Sequence, residues 1–428
     1  MSRRDMLPAL LLAATVGWSL PLDGPWKFHP GDDPRWASPA FDDSAWATQS
    51  LAAPVSSNDG DQGITHYAPG WAAQGFRGYR GFAWYRIRVD TPLLARGDLA
   101  ILGPAMADSA YQVYAGGKLA GGIGDFSGSK PVAYAIHPAM FAIAARGPLL
   151  IAVRVWMGPW VAGPRSGGMR VAPVVGNAPG AGDAYAVQWF EKIRAFSLEI
   201  VQACLFVGLA VVSLLLLGLQ PNKRGPAVLA IALLLTAAER AHLTIFWCLG
   251  IESVPAFFTV SVLLVPATLG SWVLAWAYWL DLRKPRLAGA TIAVTVVYAL
   301  TGLLRLPALN GDGFPNLAVT SATLSTFERC GLLALLALVA YFGIVERRRE
   351  TFAALPSILL VAIGQFGIEL VRLGVPGIWF PFGMGVSLAN YAYLVSNVAI
   401  FALLFRSASR SAPARAAAPM PSFSKLPA

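Results

Sequence analysis

Seven apolar stretches, each about 18 residues or longer, occupy the second half of this chain at 197–219, 226–248, 257–280, 287–304, 317–344, 353–373 and 378–405. At about 1.5 Å of rise per residue, each is long enough as a helix to cross a hydrocarbon layer about 30 Å thick. No other feature constrains the fold as strongly. A backbone inside lipid must satisfy its own N–H and C=O groups, which leaves only helices and closed barrels. The preceding segment is different: residues 1–190 hold thirteen Asp, fifteen Lys or Arg and no Glu. The 56% hydrophobic composition therefore averages two regions shaped by two solvents.

The loops orient the spans. "NKR" at 222–224, "RKPR" at 283–286, "RRR" at 347–349 and the tail bases Arg406, Arg410, Arg415 and Lys425 total twelve, whereas the opposite loops carry Arg305, with Arg372 at a helix end. Basic loops stay in the cytoplasm, so the tail is expected inside and the segment before the first span outside. The N-terminus agrees: two arginines, a run of about a dozen apolar residues, then Gly17 and Ser19 spaced for cleavage predict a signal peptide over 1–19. An uncleaved anchor is the alternative, and either one exports the segment after it. The net charge of +10 lies in clusters between spans rather than on one face with stacking aromatics, so no nucleic-acid partner is expected. Cys204, Cys248 and Cys330 lie in or beside apolar runs, leaving the exported part without a disulfide framework.

In that part, short runs such as "FAWYRIRVD" and "LLIAVRVWM" are bounded by turn residues. Alternation places Trp84, Arg86 and Arg88 on one strand face and Tyr85, Ile87 and Val89 on the other. "YQVYAGGKLAGG" reads as a hairpin turning at Gly116 and Gly117. The expected fold is an all-β sandwich over 22–178, followed by an all-α bundle of seven transmembrane helices over 190–405 and a disordered tail over 406–428.

"GDDPRWASPAFDDSAW" repeats an Asp pair ten residues apart, at Asp32–Asp33 and Asp42–Asp43. Turn and cap roles fit these carboxylates best. A calcium site stays open, although the spacing matches no recognised loop. Catalysis fits least, because a glycosidase needs two carboxylates across one sugar bond in a cleft. Candidate ligand-binding groups are Trp71, Arg77, Tyr79, Arg80, Trp84, Trp156, Trp160 and Arg165, aromatic platforms with polar rims, while the plainer reading of any one tryptophan is core.

Within the spans the polar residues are Glu239, Arg240 and His242 in the second, Glu328 and Arg329 in the fifth, Gln365, Glu369 and Arg372 in the sixth, and Asn390 and Asn397 in the seventh. Ionisable groups in lipid are costly and face the bundle interior in pairs, so cross-helix pairs are expected among Glu239, Arg240, Glu328, Arg329 and Glu369, in the outer half. Gln365, Glu369 and Arg372 follow the i, i+4, i+7 rule of one helix face. These pairs serve either as a relay or only as packing glue. No lysine falls within a span to form a retinal Schiff base, and His242 is the only histidine of the membrane half, too few for a zinc site. No enzyme activity, cofactor or metal is expected, and the absence of an internal repeat counts against a transporter.

"LDGPWKFHPGDDPRWASPAFDDSAW", "GYRGFAWYRIRV", "YQVYAGGKLAGG" and "LLIAVRV" together resemble the galactose-binding-like jelly roll at the front of family 2 glycoside hydrolases and on many bacterial sensors. In those hydrolases the domain is an accessory, as the resemblance implies. Export signal, jelly roll and seven helices in that order resemble the bacterial seven-transmembrane receptors with diverse intracellular signalling modules. The resemblance implies an inner-membrane sensor, exported domain outside, that normally continues into a diguanylate cyclase, histidine kinase or phosphatase. Here only a short segment follows Phe405, so a separate cytoplasmic kinase, cyclase or phosphatase is the expected output partner. Membrane lipid and a carbohydrate-like ligand are the other expected partners, with a homodimer left open. The competing readings are a membrane-anchored carbohydrate-binding or adhesion module without signalling and, last, an intramembrane enzyme or transporter.

Overall fold

The computed structural model describes residues 17–54, 58–59, 64–65, 67–90, 98–144, 148–158, 166–218, 223–306, 315–348, 350–373 and 388–416. Its strands are β1 (Ser19–Pro21), β2 (Trp26–Pro30), β3 (Ala47–Gln49), β4 (Asn58–Asp59), β5 (Ile64–Thr65), β6 (Gly81–Val89), β7 (Leu99–Leu102), β8 (Ala107–Asp108), β9 (Ala110–Ala115), β10 (Lys118–Ile123), β11 (Met140–Ile143), β12 (Leu149–Met157), β13 (Gly168–Met169) and β14 (Val174–Asn177). A large antiparallel sheet in the order β10-β9-β12-β6-β2-β3 packs against a small one in the order β1-β14-β7-β11, while β4–β5 and β8–β13 form two-stranded ribbons. Trp26, Phe28, Tyr85, Tyr111, Val113, Ile151 and Val153 of the large sheet meet Leu99, Ile101 and Val175 of the small one in a single core.

Local chemistry explains the register. The β9–β10 hairpin pairs Ala115 with Lys118, leaving Gly116 and Gly117 to turn at φ of 57° and 85°, a conformation that a side chain disfavours. The small sheet begins inside the segment read as a signal peptide: Ser19 lies opposite Gly176, and the Trp18 N–H donates to Asn177 Oδ1 at 2.9 Å.

Asn177 also accepts from the Gly180 N–H at 3.0 Å and so caps helix α1 (Ala178–Leu215), with a proline in the first turn. The helix therefore starts at the sandwich rather than near 197, because cap and proline set its beginning before apolar composition does. Its 38 residues make a rod about 57 Å long, more than a bilayer's hydrocarbon layer requires. Asn177→Ala, which removes both bonds, is expected to cost about 1–2 kcal/mol and to lower the unfolding temperature of the whole chain.

The remaining helices are α2 (Arg224–Thr244), α3 (Val254–Trp279), α4 (Pro285–Leu304), α5 (Pro315–Val345), α6 (Thr351–Gln365), α7 (Gly367–Arg372) and α8 (Leu388–Ala416). Among the described residues six helices are long and apolar enough to cross a membrane. The expected sixth span, 353–373, is instead two helices broken at Phe366, whose φ of −116° and ψ of 27° leave the helical region. Gln365 ends the first of these helices and Glu369 lies in the second. The last span begins at Leu388 and extends past the expected boundary to Ala416, since Ala and Arg favour helix; residues 378–387 and 417–428 lie outside the described residues.

The bundle interior is apolar, with Phe206, Leu233, Trp272, Trp276, Leu332, Val361, Tyr393 and Ile400 packed together. Large apolar side chains such as Leu215, Phe327, Phe352 and Val398 also face outward, the surface a lipid solvent selects. Helix ends alternate between two levels. At the sandwich end, the Val254 N–H donates to the Ala133 carbonyl at 2.8 Å. At the far end, Lys284 pairs with Glu346 at 2.9 Å and Arg410 pairs with Glu350.

Candidate functional site

Residues 31–46 form a cover over the outer face of the large sheet, and the four carboxylates divide the task. Asp33 caps its own turn, accepting from the Arg35 N–H at 2.9 Å, and Asp42 accepts from the Ser44 N–H at 3.0 Å. The other two fasten the cover to the sheet. Asp32 accepts from Trp84 Nε1 at 3.0 Å and from Arg154 at 2.8 and 2.5 Å. Asp43 accepts from Arg86 Nε at 2.8 Å and from Arg88 at 3.1 Å. Arg86 is completely buried and also donates to the carbonyls of Trp36, Ser38 and Phe41. Desolvation pushes the Asp43 carboxyl up, but the hydrogen bonds from Arg86 and Arg88 outweigh it and hold the group below its ordinary value. These carboxylates serve the architecture of the cover.

That cover changes the status of the candidate ligand residues. Trp71 and Trp84 are fully enclosed, with their indole N–H groups donating to the Tyr79 carbonyl and to Asp32. The Tyr79 hydroxyl accepts from the Gly31 N–H and donates to the Phe82 carbonyl, a packing role. Trp156 is half-buried, and among the described candidates Arg77 and Arg80 are exposed. Trp160 and Arg165 lie outside the described residues. The structure therefore does not gather the six described candidates into one binding face.

A second site joins the two regions. The chain from Ala133 to His137 lies against the bundle: Tyr134 bridges Ser253, just before α3, and the Ile136 carbonyl accepts from the Lys192 ammonium of α1. Lys192 is buried there, its ammonium 5.8 Å from the centre of the Trp247 ring. The His137 ring lies 6.3 Å from that of Trp189. Burial pushes the His137 imidazole below its ordinary value, its bond to the Ala135 carbonyl acts the other way, and Lys192 adds to the fall. None of Lys192, His137, Trp189 and Trp247 stands out in the sequence. A lysine followed by apolar and aromatic residues outside the expected span gives no sign of its partner, a backbone carbonyl on another element.

The third cluster lies within the bundle. Arg329 of α5 forms a two-pronged pair with Glu369 of α7 at 2.6 and 2.9 Å. Its Nη2 also donates to the Gln365 carbonyl at 2.9 Å, an acceptor beside the break at Phe366. This is one of the expected cross-helix pairs. Arg240 pairs instead with Glu199 of α1 at 3.1 Å and with its neighbour Glu239 at 3.4 Å, its guanidinium 5.1 Å from the Tyr393 ring centre. Glu199, in the first span, is a member that the sequence does not single out. Glu328 accepts from the Thr301 hydroxyl at 2.6 Å rather than from an arginine. His242 sets Nε2 3.2 Å from the Phe257 carbonyl and Nδ1 3.5 Å from Glu252. Gln202 donates to the Asn390 carbonyl at 2.9 Å, Asn397 is buried, and the Arg372 side chain lies outside the described residues. Tyr393 packs so closely on α6 that a Cβ on Gly364 would come within 2.7 Å of its ring.

Together these contacts bring α1, α2, α5, α6, α7 and α8 into one buried polar layer. Arg240 is ten residues, about 15 Å along the helical path, from Gly250 at the sandwich-side turn. Both α1 and the turn before α3 are attached to the sandwich.

No family model matches the chain, and no curated protein matches it. Among solved structures, a β-glucuronidase of Bacteroides uniformis is 21% identical over 38% of this chain and 18% of its own, with a TM-score of 0.28. A β-glucuronidase from glycoside hydrolase family 2 is 17% identical over 37% and 18%, with a TM-score of 0.26. A β-glycosidase of Bacteroides vulgatus is 19% identical over 37% and 20%, with a TM-score of 0.25. The chain spans about a fifth of the length of these enzymes, and the activities in their names are theirs.

Proposed function

We propose that this protein is a bacterial inner-membrane receptor of the seven-transmembrane type, in which an exported jelly-roll sandwich senses a carbohydrate-like ligand or a partner and the helices pass the change to a separate cytoplasmic signalling protein. The observation that carries this reading is the mechanical continuity of the two regions. The last strand of the sandwich runs through a capped turn into α1, and the Ala133–His137 segment is fixed to Lys192 and to the start of α3. A module that served only as an anchored adhesin would work with a flexible tether. Relay requires two packings that the ligand distinguishes, and a buried charge layer with discrete pairings is the kind of element that has them. The basic far-end loops fit a cytoplasmic face, and the protein's own role is signal transfer without catalysis.

Crosslinking in native membranes, followed by identification of the captured protein, tests the reading. A cytoplasmic kinase, cyclase or phosphatase is the expected catch, reduced at least severalfold by Arg347→Gln with Arg348→Gln and altered by Lys192→Met at the opposite end. Capture of no signalling protein, or capture indifferent to all three changes, would reject the receptor in favour of the anchored module.

A further inference from the structure

We infer that the end of the bundle remote from the sandwich carries a binding site for a phosphate-class anion, supplied either by an anionic lipid headgroup or by a soluble phosphate compound. The inference needs only that the bundle sits in a bilayer and is independent of the signalling reading. The site is a cavity of about 660 Å³ between the start of α2, the end of α3 and the first turn of α4. That volume lies within the range of about 300–1,000 Å³ usual for small-ligand pockets. Its wall carries Arg224, Arg283 and Lys284 against one carboxylate, Asp281, with Tyr278 and the apolar Ala288 beside them.

Each part suits a phosphate oxygen. The Arg283 side chain is 86% exposed, and its contact with Asp281 is long at 4.0 Å, so the guanidinium is free to turn toward a bidentate acceptor. Lys284 is held in place by Glu346 at 2.9 Å and by the Phe342 ring, 5.0 Å from its ammonium, which makes it a fixed point charge at the rim. Both α2 and α4 start here without a side-chain cap, so the positive ends of two helices add to the three cations. Asp281, in a left-handed turn at φ of 49°, lies between Arg283 and Arg348 at 4.0 and 3.8 Å and offsets part of the mutual repulsion of the cations. Because the helices end at this level, the cavity opens where the headgroups of surrounding lipids lie.

The test uses the purified full chain in phosphatidylcholine nanodiscs doped with phosphatidylglycerol, with retained anionic lipid counted by native mass spectrometry. Arg224→Gln combined with Arg283→Gln is expected to lower retention about 100-fold, about tenfold for each charged hydrogen bond to the bound phosphate that is lost. Arg406→Gln, an exposed base at the same end outside the cavity, should leave retention unchanged. Asp281→Asn, at a position 53% exposed, should raise retention and serves as the second arm should the double variant misfold. Displacement of phosphatidylglycerol by millimolar inorganic phosphate would assign the site to soluble phosphates, and lack of displacement to the headgroup. Retention equal in wild type, the double variant and Asp281→Asn, without phosphate binding, would overturn the inference.

Discussion

Glu369→Ala should destabilise the bundle by about 3–5 kcal/mol, the cost of leaving a buried charge without its partner. Glu369 is 1% exposed, and both its oxygens accept from Arg329, so truncation strands a guanidinium among apolar neighbours with only the Gln365 carbonyl and a 3.5 Å contact to the Tyr298 hydroxyl. The break at Phe366 adds to the effect, because the same guanidinium ties the ends of α6 and α7 together. Thermal unfolding in detergent micelles gives the size of the loss. The double variant Arg329→Met with Glu369→Leu should recover most of it, since an apolar pair of similar volume avoids the desolvation of both ions. The paired variants separate the two roles of the charge layer. Stability recovered together with partner capture would make the pair packing glue, whereas stability recovered without capture would make it part of the relay.

Arg86→Ala should be of comparable size, about 3–5 kcal/mol, and should release the cover from the large sheet. Its guanidinium serves Asp43 and three backbone carbonyls and lies 5.4 and 5.6 Å from the ring centres of Phe41 and Trp46. Loss would appear as a fall in unfolding temperature and as tryptophan fluorescence shifted toward that of exposed indole. Arg86→Lys should recover less than half, because one ammonium cannot reach four acceptors in the planar array a guanidinium provides. The pH dependence follows from Asp43. Its folded value lies below the ordinary Asp value of 3.8, so its contribution is fully present above that value and is lost as pH falls through the folded one. In Arg86→Ala the strongest lowering contact is gone while desolvation remains, and acid unfolding should begin at higher pH.

The candidate residues were legible to different degrees for a physical reason. Arg329 and Glu369 were identifiable because an ionisable group in an apolar span has few options besides another such group. Glu199 was not, since it stands near the start of a span where a charge at the headgroup level is unremarkable. Trp71 and Trp84 fit both a sugar platform and a core from sequence, because the indole ring serves either; the cover over the sheet decided in favour of enclosure. The helical start at Ala178 was hidden by Gly180 and Gly182, which weaken a helix locally while Asn177 and a proline initiate it.

By itself the sequence determined what depends on neighbours a few residues away. The lengths of the apolar runs located six of the seven expected spans, alternation set which face of β6 meets the core, and the two glycines set the hairpin register. Only the tertiary structure decided what depends on how separate elements rotate against one another. It joined Asp32 to Arg154 across 122 residues, gave Arg240 to Glu199 rather than to Glu328, and split the sixth span at Phe366. A periodic pattern specifies the face of an element. It does not specify which other face the element will meet, because that depends on the summed packing of every helix and strand around it.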